Sequence, residues 1–326
     1  LGNEKIVKEE MIMQFDLVTV GVVCADVMVK PVDTFPPKGT LSLVPQLEMH
    51  LGGLAGVTAV IFSKLGGKSA FIGQLGEDRF GDFILNALTS AGVNVQGVKR
   101  TKEYNSSATV VLINSNGERT FLHHVGTNAS VSEQDLDFNV IASAKILHWG
   151  GSSITPKLDG EPIGRVFEKA RAMGVKTSID TCYDGKGIWL PHIEPALKHT
   201  HIVFSSLEEA RNYTGKHEPS DIADFYLSYG VEIAVIKMGE QGVLVKSNSE
   251  TIRLPAYSVP VVDTTGAGDA SCGGFLYGYV AGYPLKKCAQ MANAVGALTV
   301  QVMGGSNGVH SLEQVTKFIE EHEKVY

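Results

Sequence analysis

Toward its C-terminus the chain reads DTTGAGDASCGG, Asp263 to Gly274, setting two carboxylates and two threonine hydroxyls among glycines and alanines. Gly266 and Gly268 flank Ala267 just ahead of a helix-forming segment whose first turn would include Asp269. Small residues let backbone N–H groups come close to a ligand, and a helix N-terminus carries about half a positive charge. The spacing describes an anion hole. A carboxylate placed there repels an anion unless it takes part in the chemistry. As a general base it would take the proton of an attacking hydroxyl while the amides of Gly266, Ala267 and Gly268 neutralise the group in transfer. A plainer alternative is an N-terminal aspartate that only favours the helix dipole, and this stretch by itself leaves both open.

The elements around it read as an α/β domain. Phe15–Val23 is a short apolar, β-branched strand, followed at Cys24–Pro45 by a proline-bearing stretch that resembles exposed or edge strands. Helical spacing follows at Gly52–Leu65 and Asp78–Ala91, with a buried strand at Ser69–Gly73 between them. Ser106–Gly126 places two β-branched runs around Asn116-Gly117, a hairpin signal. From Lys145 strands and helices alternate: KILHWGG, Ile163–Met173, VKTSID, HIVFSS, a helix from Leu207, then EIAVIKMG. A hairpin at Gly242–Pro255 and helices after Gly266, around Cys288–Val302 and near Ser311–His322 complete the chain. Such alternation predicts a mainly parallel sheet covered by helices on both faces, with a small β appendage built from two separated segments.

Composition narrows the function. The 326 residues are 44% hydrophobic and 8% aromatic, enough for a sizeable core. A net charge of −7 argues against a general nucleic-acid binder. The four cysteines, Cys24, Cys182, Cys272 and Cys288, form no C-x-x-C and read as reduced thiols of a cytoplasmic protein. No apolar run reaches the ~18 residues of a membrane span. Residues 1–14 read as an N-terminal extension lacking a signal-peptide core, so the N-x-S/T triplets at Asn105, Asn128 and Asn212 read as chance matches.

Familiar glycine motifs fail. LGGKS at Leu65–Ser69 lacks the glycine that a P-loop needs five residues before Gly67, where Phe62 stands. The first strand leads into GVVCAD rather than a dinucleotide fingerprint, which weighs against a dehydrogenase. His123 and His124 are adjacent on a strand and point to opposite faces, a poor start for a metal site.

Six motifs in order carry a resemblance: Gly21-x-x-x-x-Asp26, Gly52-Gly53-Leu54-Ala55, GQLGEDRFG at Gly73–Gly81, NGERTF at Asn116–Phe121, Lys237–Gly242, and DTTGAGDA at Asp263–Ala270. Together, over residues 15–326, they resemble the PfkB, or ribokinase-like, family of carbohydrate and nucleoside kinases. The resemblance implies a three-layer sandwich with a mainly parallel central sheet and a β-sheet lid from segments about 26–48 and 104–126. It implies Asp269 as catalytic base and Gly266, Ala267 and Gly268 as the hole for the γ-phosphoryl group of ATP. Asp26, Gly52 and Gly53 would hold the acceptor, with Gly56 and Arg119 beside it. Ser206, Lys237, Gly239, Gly242 and Asn293 would border the nucleotide. Glu209 would organise hydrated Mg²⁺, while Asp263 and Thr265 would offer oxygens to a monovalent cation such as K⁺.

The departures fall on the acceptor side. Gly56 replaces the family asparagine after Gly-Gly-x-Ala, and Ser206 replaces that of Asn-x-x-Glu. Asp180-Thr181-Cys182-Tyr183-Asp184 lacks the amide and guanidinium of Asp-x-Asn-x-Arg. The expected activity is phosphorylation of a hydroxymethyl group on a small sugar or sugar acid, the alternatives being a nucleoside kinase or an inactive sugar-sensing protein. A homodimer through the lid is the expected assembly, with neither nucleic acid nor membrane as a partner.

Overall fold

The computed structural model describes residues 14–323; most of the expected N-terminal extension therefore lies outside the described residues. In chain order the strands are β1 (Phe15–Gly21), β2 (Cys24–Lys30), β3 (Gln46–Gly52), β4 (Ser69–Gly76), β5 (Asn94–Thr101), β6 (Ala108–Ile113) and β7 (Arg119–His124). They continue as β8 (Ala144–Gly150), β9 (Lys176–Asp180), β10 (Ile202–Ser206), β11 (Ile233–Lys237), β12 (Val243–Ser247) and β13 (Thr251–Leu254). Nine strands form one sheet in the order β13-β12-β11-β10-β9-β8-β1-β4-β5. It is parallel from β5 to β11; β12 alone runs against it, and β13, antiparallel to β12, returns to the common direction.

Both faces of the sheet are covered, as its continuous apolar strands require. Val18 and Val20 of β1, with Ala234 and Ile236 of β11, pack toward Phe167, Tyr213 and Tyr226 on one side. Leu17, Ile233 and Val235 turn the other way, toward Phe62, Phe275 and Leu276. On that second side helices Leu54–Lys64 and Ala267–Val280 lie close together. A Cβ on Gly273 would come within 2.9 Å of Ile61 and 3.0 Å of the Thr58 carbonyl. Thr58 Oγ1 also donates to the Asp269 carbonyl at 3.0 Å, so this packing sets the helix that carries Asp269 beside the helix that follows the Gly52–Gly53 turn.

The four remaining strands make a separate sheet, β3-β2-β6-β7. Here the sequence expectation needs correction: β2 is not an edge but an interior strand, antiparallel to β3 and parallel to β6. Its Ala25 and Met28 are fully buried, a packing that periodicity over a proline-bearing stretch does not reveal. Edge strand β5 and helix Pro219–Ser228 also escape the sequence reading. The small sheet is two-faced. Asp26, Met28, Thr109, Val111 and Ile113 are buried, whereas Leu47, Met49, Val110 and Leu122 are exposed and lie in register on the opposite face. Asn128 is buried with its amide bonded to Val23, leaving its triplet inaccessible to glycosylation.

Candidate active site

Gly266 caps the helix Ala267–Val280 in the left-handed region, φ 71°, and a Cβ there would lie 2.5 Å from Gly305 Cα. Only glycine fits. No side chain caps this helix; the Ala267 N–H makes a long 3.4 Å bond to the Thr264 carbonyl, and the neighbouring amides of the first turn face outward from the helix end. The turn before it is fixed by Asp263, buried and accepting the N–H groups of Thr265 (2.9 Å) and Gly304 (3.0 Å). Asp263 thus already binds two backbone donors at the place where the family resemblance suggests a cation ligand.

Asp269, in the first turn, is half-buried, and among the described residues its carboxylate makes no hydrogen bond to protein. Burial pushes it up to about 8, helped by the charges of Asp180, Glu209 and Asp26 and opposed by Lys237. It is a half-buried carboxylate held basic by its surroundings.

Behind it lies a buried ion pair. Lys237 Nζ meets Asp180 Oδ1 at 2.7 Å, with the Cys272 sulfur 3.6 Å from the amine and 3.3 Å from Asp180 Oδ2. Burial favours a neutral amine, but Asp180 outweighs it and holds Lys237 charged well above the ordinary lysine range. A Cβ on Gly268 would stand 3.2 Å from this ammonium, which places the cation directly under the anion hole. Thr181, next to Asp180, donates to Glu209 Oε2 at 3.0 Å. Glu209 and Ser206 cap each other at the start of helix Leu207–Thr214, both bonds 3.3 Å, so the serine in place of asparagine serves as helix cap. Burial raises Glu209, against the pull of Lys237.

On the acceptor side Asp26 is 7% exposed and raised by burial. It accepts from the Cys24 thiol at 3.2 Å, and Thr109 bridges Cys24 to His123 Nδ1, 3.0 Å away. A Cβ on Gly52 would fall 2.0 Å from Asp26 Oδ2, and one on Gly53 (φ 90°) 2.6 Å from the Val22 carbonyl. Gly56 is different: it is buried in the helix, and a Cβ there would strike Val23 at 2.6 Å. Its glycine answers packing rather than a ligand. Arg119 reaches across to Thr265 Oγ1 at 3.4 Å, and Lys30 to the Val262 carbonyl at 3.2 Å. His50, paired with Asp26 in register, joins Asn307 at 2.9 Å. The small sheet is therefore shut down on the segments that flank the anion hole, and a cavity of about 890 Å³ opens between its hairpin, Glu208 and Thr264.

Gly239 and Gly242 shape the turn after β11. A Cβ on Gly239 would meet nothing within 4 Å, whereas one on Gly242 would strike the Leu254 carbonyl at 2.0 Å. Asn293 donates to the Pro255 carbonyl at 2.8 Å, tying its helix to the end of the β13 segment.

Comparison with known proteins decides the family: residues 14–312 match the pfkB family of carbohydrate kinases. The chain belongs to it. A probable fructokinase-5 of Arabidopsis thaliana is 30% identical over 78% of this chain and 83% of its own. A 5-dehydro-2-deoxygluconokinase of Clostridium perfringens is 26% identical over 96% and 95%. Among solved structures, Arabidopsis thaliana ribokinase complexed with ribose and ATP superposes at a TM-score of 0.81, 25% identical over 94% and 99%. A chain from E. coli solved with ATP and Mg²⁺ superposes at 0.83, 23% identical over 94% and 100%.

In this pfkB-family chain the fold brings Asp26, Lys237 and Glu209 within electrostatic reach of Asp269, and Arg119 within 3.4 Å of Thr265. The sequence reading passed over Asp180 as a site residue, along with Thr181, Cys272 and His50. Asp180 offered a signal, since it ends a parallel strand where ligands of open α/β sheets bind. His50 offered none. No helix among the described residues is long and apolar enough to cross a membrane.

Proposed function

We propose that this carbohydrate kinase transfers the γ-phosphoryl group of ATP to a hydroxymethyl group of a small sugar or sugar acid. One observation carries the reading: an unpaired carboxylate, Asp269, raised in basicity, at the mouth of an uncapped helix and within electrostatic reach of Asp26. The residues fit a nucleotide triphosphate, because the helix mouth offers open amides and Gly239 leaves its side empty. Bound ATP with Mg²⁺ supplies the phosphoryl group and part of its counter-charge.

The chain does the rest. Asp26 accepts hydrogen bonds from acceptor hydroxyls and fixes their orientation. Asp269 takes the proton of the attacking hydroxyl. The amides of Gly266, Ala267 and Gly268, with Lys237 beneath them, hold the charge of the group in transfer. Among the described residues no three His, Cys, Asp or Glu side chains converge on a bare metal ion. Glu209 would accordingly act on hydrated Mg²⁺ through water, and Asp263 with Thr265 would reach K⁺ only beside the backbone bonds Asp263 already accepts. The small sheet, as lid, keeps water from competing as acceptor.

The exposed outer face of that sheet, with Leu47, Met49, Val110 and Leu122 in register, supports a homodimer formed through the lid. A panel of ribose, fructose, 2-keto-3-deoxygluconate, adenosine and inosine, read by ADP release, tests the acceptor. Turnover confined to the nucleosides replaces the sugar assignment. Ligand binding without turnover on any of them overturns the kinase chemistry and favours a sensing role.

A further inference from the structure

The loops after β8 and β9 leave the sheet at its C-terminal edge, the same edge that carries Asp180 and Glu209. Two non-glycine residues with positive φ stand there among the described residues, Ser153 at 73° and Trp189 at 59°. Each is gripped by a carboxylate. Ser153 N–H donates to Asp159 Oδ1 at 3.0 Å, and Trp189 N–H to Asp184 Oδ2 at 2.7 Å.

The two carboxylates meet on one imidazole. His192 Nδ1 lies 3.5 Å from Asp159 Oδ2, and His192 Nε2 lies 3.4 Å from Asp184 Oδ2. The side chains are 14%, 6% and 1% exposed for His192, Asp159 and Asp184, and Asp159 Oδ2 and His192 Nε2 have no hydrogen bond of ordinary length.

Proton counting decides what this cluster does. A neutral imidazole has one N–H and one lone pair. Were both carboxylates ionised around it, one ring nitrogen would turn its lone pair onto a carboxylate oxygen. The geometry holds only with one further proton, on His192 or on Asp159. Asp184 stays ionised, for although burial opposes it, the N–H groups of Trp189, Lys186 and Ile188 lower it. Burial, with the Asp184 charge, pushes Asp159 up to about 7, while Lys186 pulls it back. The proton is therefore exchangeable near neutrality.

Other charges are accounted for. Helix Leu207–Thr214, packed on the Leu190–His192 turn, presents Tyr213, whose hydroxyl is engaged by Ser152, Ser153 and the Cys182 carbonyl. On that helix Arg211 is bonded to the His217 carbonyl, Glu209 to Thr181, and Glu208 lines the outer cavity. Glu194 on the following helix accepts from Tyr229, while Lys157 and Glu161 face solvent.

The segment these groups clamp runs straight into the site. Asp180 pairs with Lys237, Thr181 holds Glu209, and Cys182 is pinned by Ser152 and Tyr213. We propose that His192 is a positioning residue: the proton it shares with Asp159 and Asp184 locks the Cys182–Trp189 loop and, through it, Asp180 and the Thr181–Glu209 bond. The kinetic half of this rests on the proposed phosphoryl transfer; the structural half does not. Loss of the proton opens the clamp.

The test follows Trp189 emission and kcat from about pH 6 to 9 in wild type, Asp159→Asn and His192→Phe. Trp189→Phe separates its emission from that of the buried Trp149. In Asp159→Asn the carboxamide oxygen still accepts from Ser153 while its NH₂ donates permanently to His192. Wild type is expected to show an alkaline emission change with a falling kcat limb; Asp159→Asn loses both and keeps kcat at neutral pH within about threefold. His192→Phe loses about tenfold in kcat at every pH, with KM for ATP little changed. An Asp159→Asn protein that keeps the wild-type transition, or a wild type without one, overturns the clamp. An emission change that kcat does not follow overturns the positioning role alone. Absence of turnover on every acceptor overturns the kinase reading and leaves the emission result to judge the clamp.

Discussion

Asp269 and Asp26 face one cleft from opposite sides and are held in opposite ways. Asp269 stands on a fourteen-residue helix of the main domain, unpaired, with a buried Lys237–Asp180 pair behind it. Asp26 stands on a strand of the small sheet, bonded to a thiol and wedged against Gly52. Burial raises both. The main-domain half is built for proton transfer and charge, with a free oxygen and a fixed cation. The small-sheet half would serve fit: it meets the main domain through hydrogen bonds at Lys30, His50 and Arg119 and through apolar packing of Ala25 and Leu51, with Met28, Val111 and Ile113 against Met303. The proposed chemistry and the proposed acceptor selection would thus fall on opposite sides of the cleft.

The sharpest way to break that division is Asp269→Asn. Removing the base is expected to lower kcat by about 10²–10⁴ with ATP affinity nearly intact, checked by ADP release and nucleotide titration. The pH dependence has a definite sign. Asp269 would act when ionised, so in Asp159→Asn, where the falling alkaline limb is removed, kcat should rise toward its raised pKa of about 8. Stability runs the other way: the folded state binds the proton more tightly than the unfolded chain, so its contribution is full at low pH and is lost as pH climbs to about 8. Asp269→Asn should flatten that fall in urea melts taken at several pH values. A variant with wild-type kcat would remove Asp269 from the chemistry.

Lys237→Met comes next and reports on the rigid half. It leaves Asp180, fully buried, without its counter-charge, and should cost roughly 3–5 kcal/mol in chemical denaturation. Pairing it with Asp180→Leu should recover much of that loss without restoring turnover. Recovery of activity in the double variant would show that the cation under Gly268 is dispensable.

Gly52→Ala probes the other half. The new methyl must displace the Asp26 carboxylate from 2.0 Å, with overpacking worth roughly 1–3 kcal/mol. The expected outcome is an acceptor KM raised about tenfold or more, by that same energy, at constant KM for ATP. Equal changes in both would show that the two halves do not divide the work.

How much of this could be read from the chain follows the same division. The glycine-bounded helix start was legible because one contiguous stretch contains it, and Gly266 needs its left-handed φ whatever surrounds it. The parallel sheet was legible from strand–helix alternation. Around Asp26, which its motif names, the neighbours His50, Thr109, His123 and Asn307 were not legible, because they come together only through pairing of distant strands. Gly56 shows the hazard of carrying a motif over by position: its missing side chain is explained by Val23. The Asp159–His192–Asp184 cluster joins the connections after β8 and β9, with no periodicity to announce it.

The smallest catalytic effect belongs to the outer face of the small sheet. Leu122 is 55% exposed there and lies opposite Val110 in register, while the cleft-facing Asp26 and Thr109 point the other way. A charge placed at Leu122 touches no group of the cleft, so Leu122→Glu should leave kcat within about threefold, as surface substitutions usually cost little. In a dimer closed through this face, the same carboxylates would come together across a two-fold axis and be stripped of water. Light scattering should then report a monomer where wild type reports a dimer, and KM for the acceptor should rise modestly as the lid loses its brace. A wild type that is monomeric at all concentrations would overturn the dimer, and Leu122→Glu should then leave KM for the acceptor unchanged, because the packing of Ala25, Leu51 and Met28 on the main domain would brace the small sheet by itself.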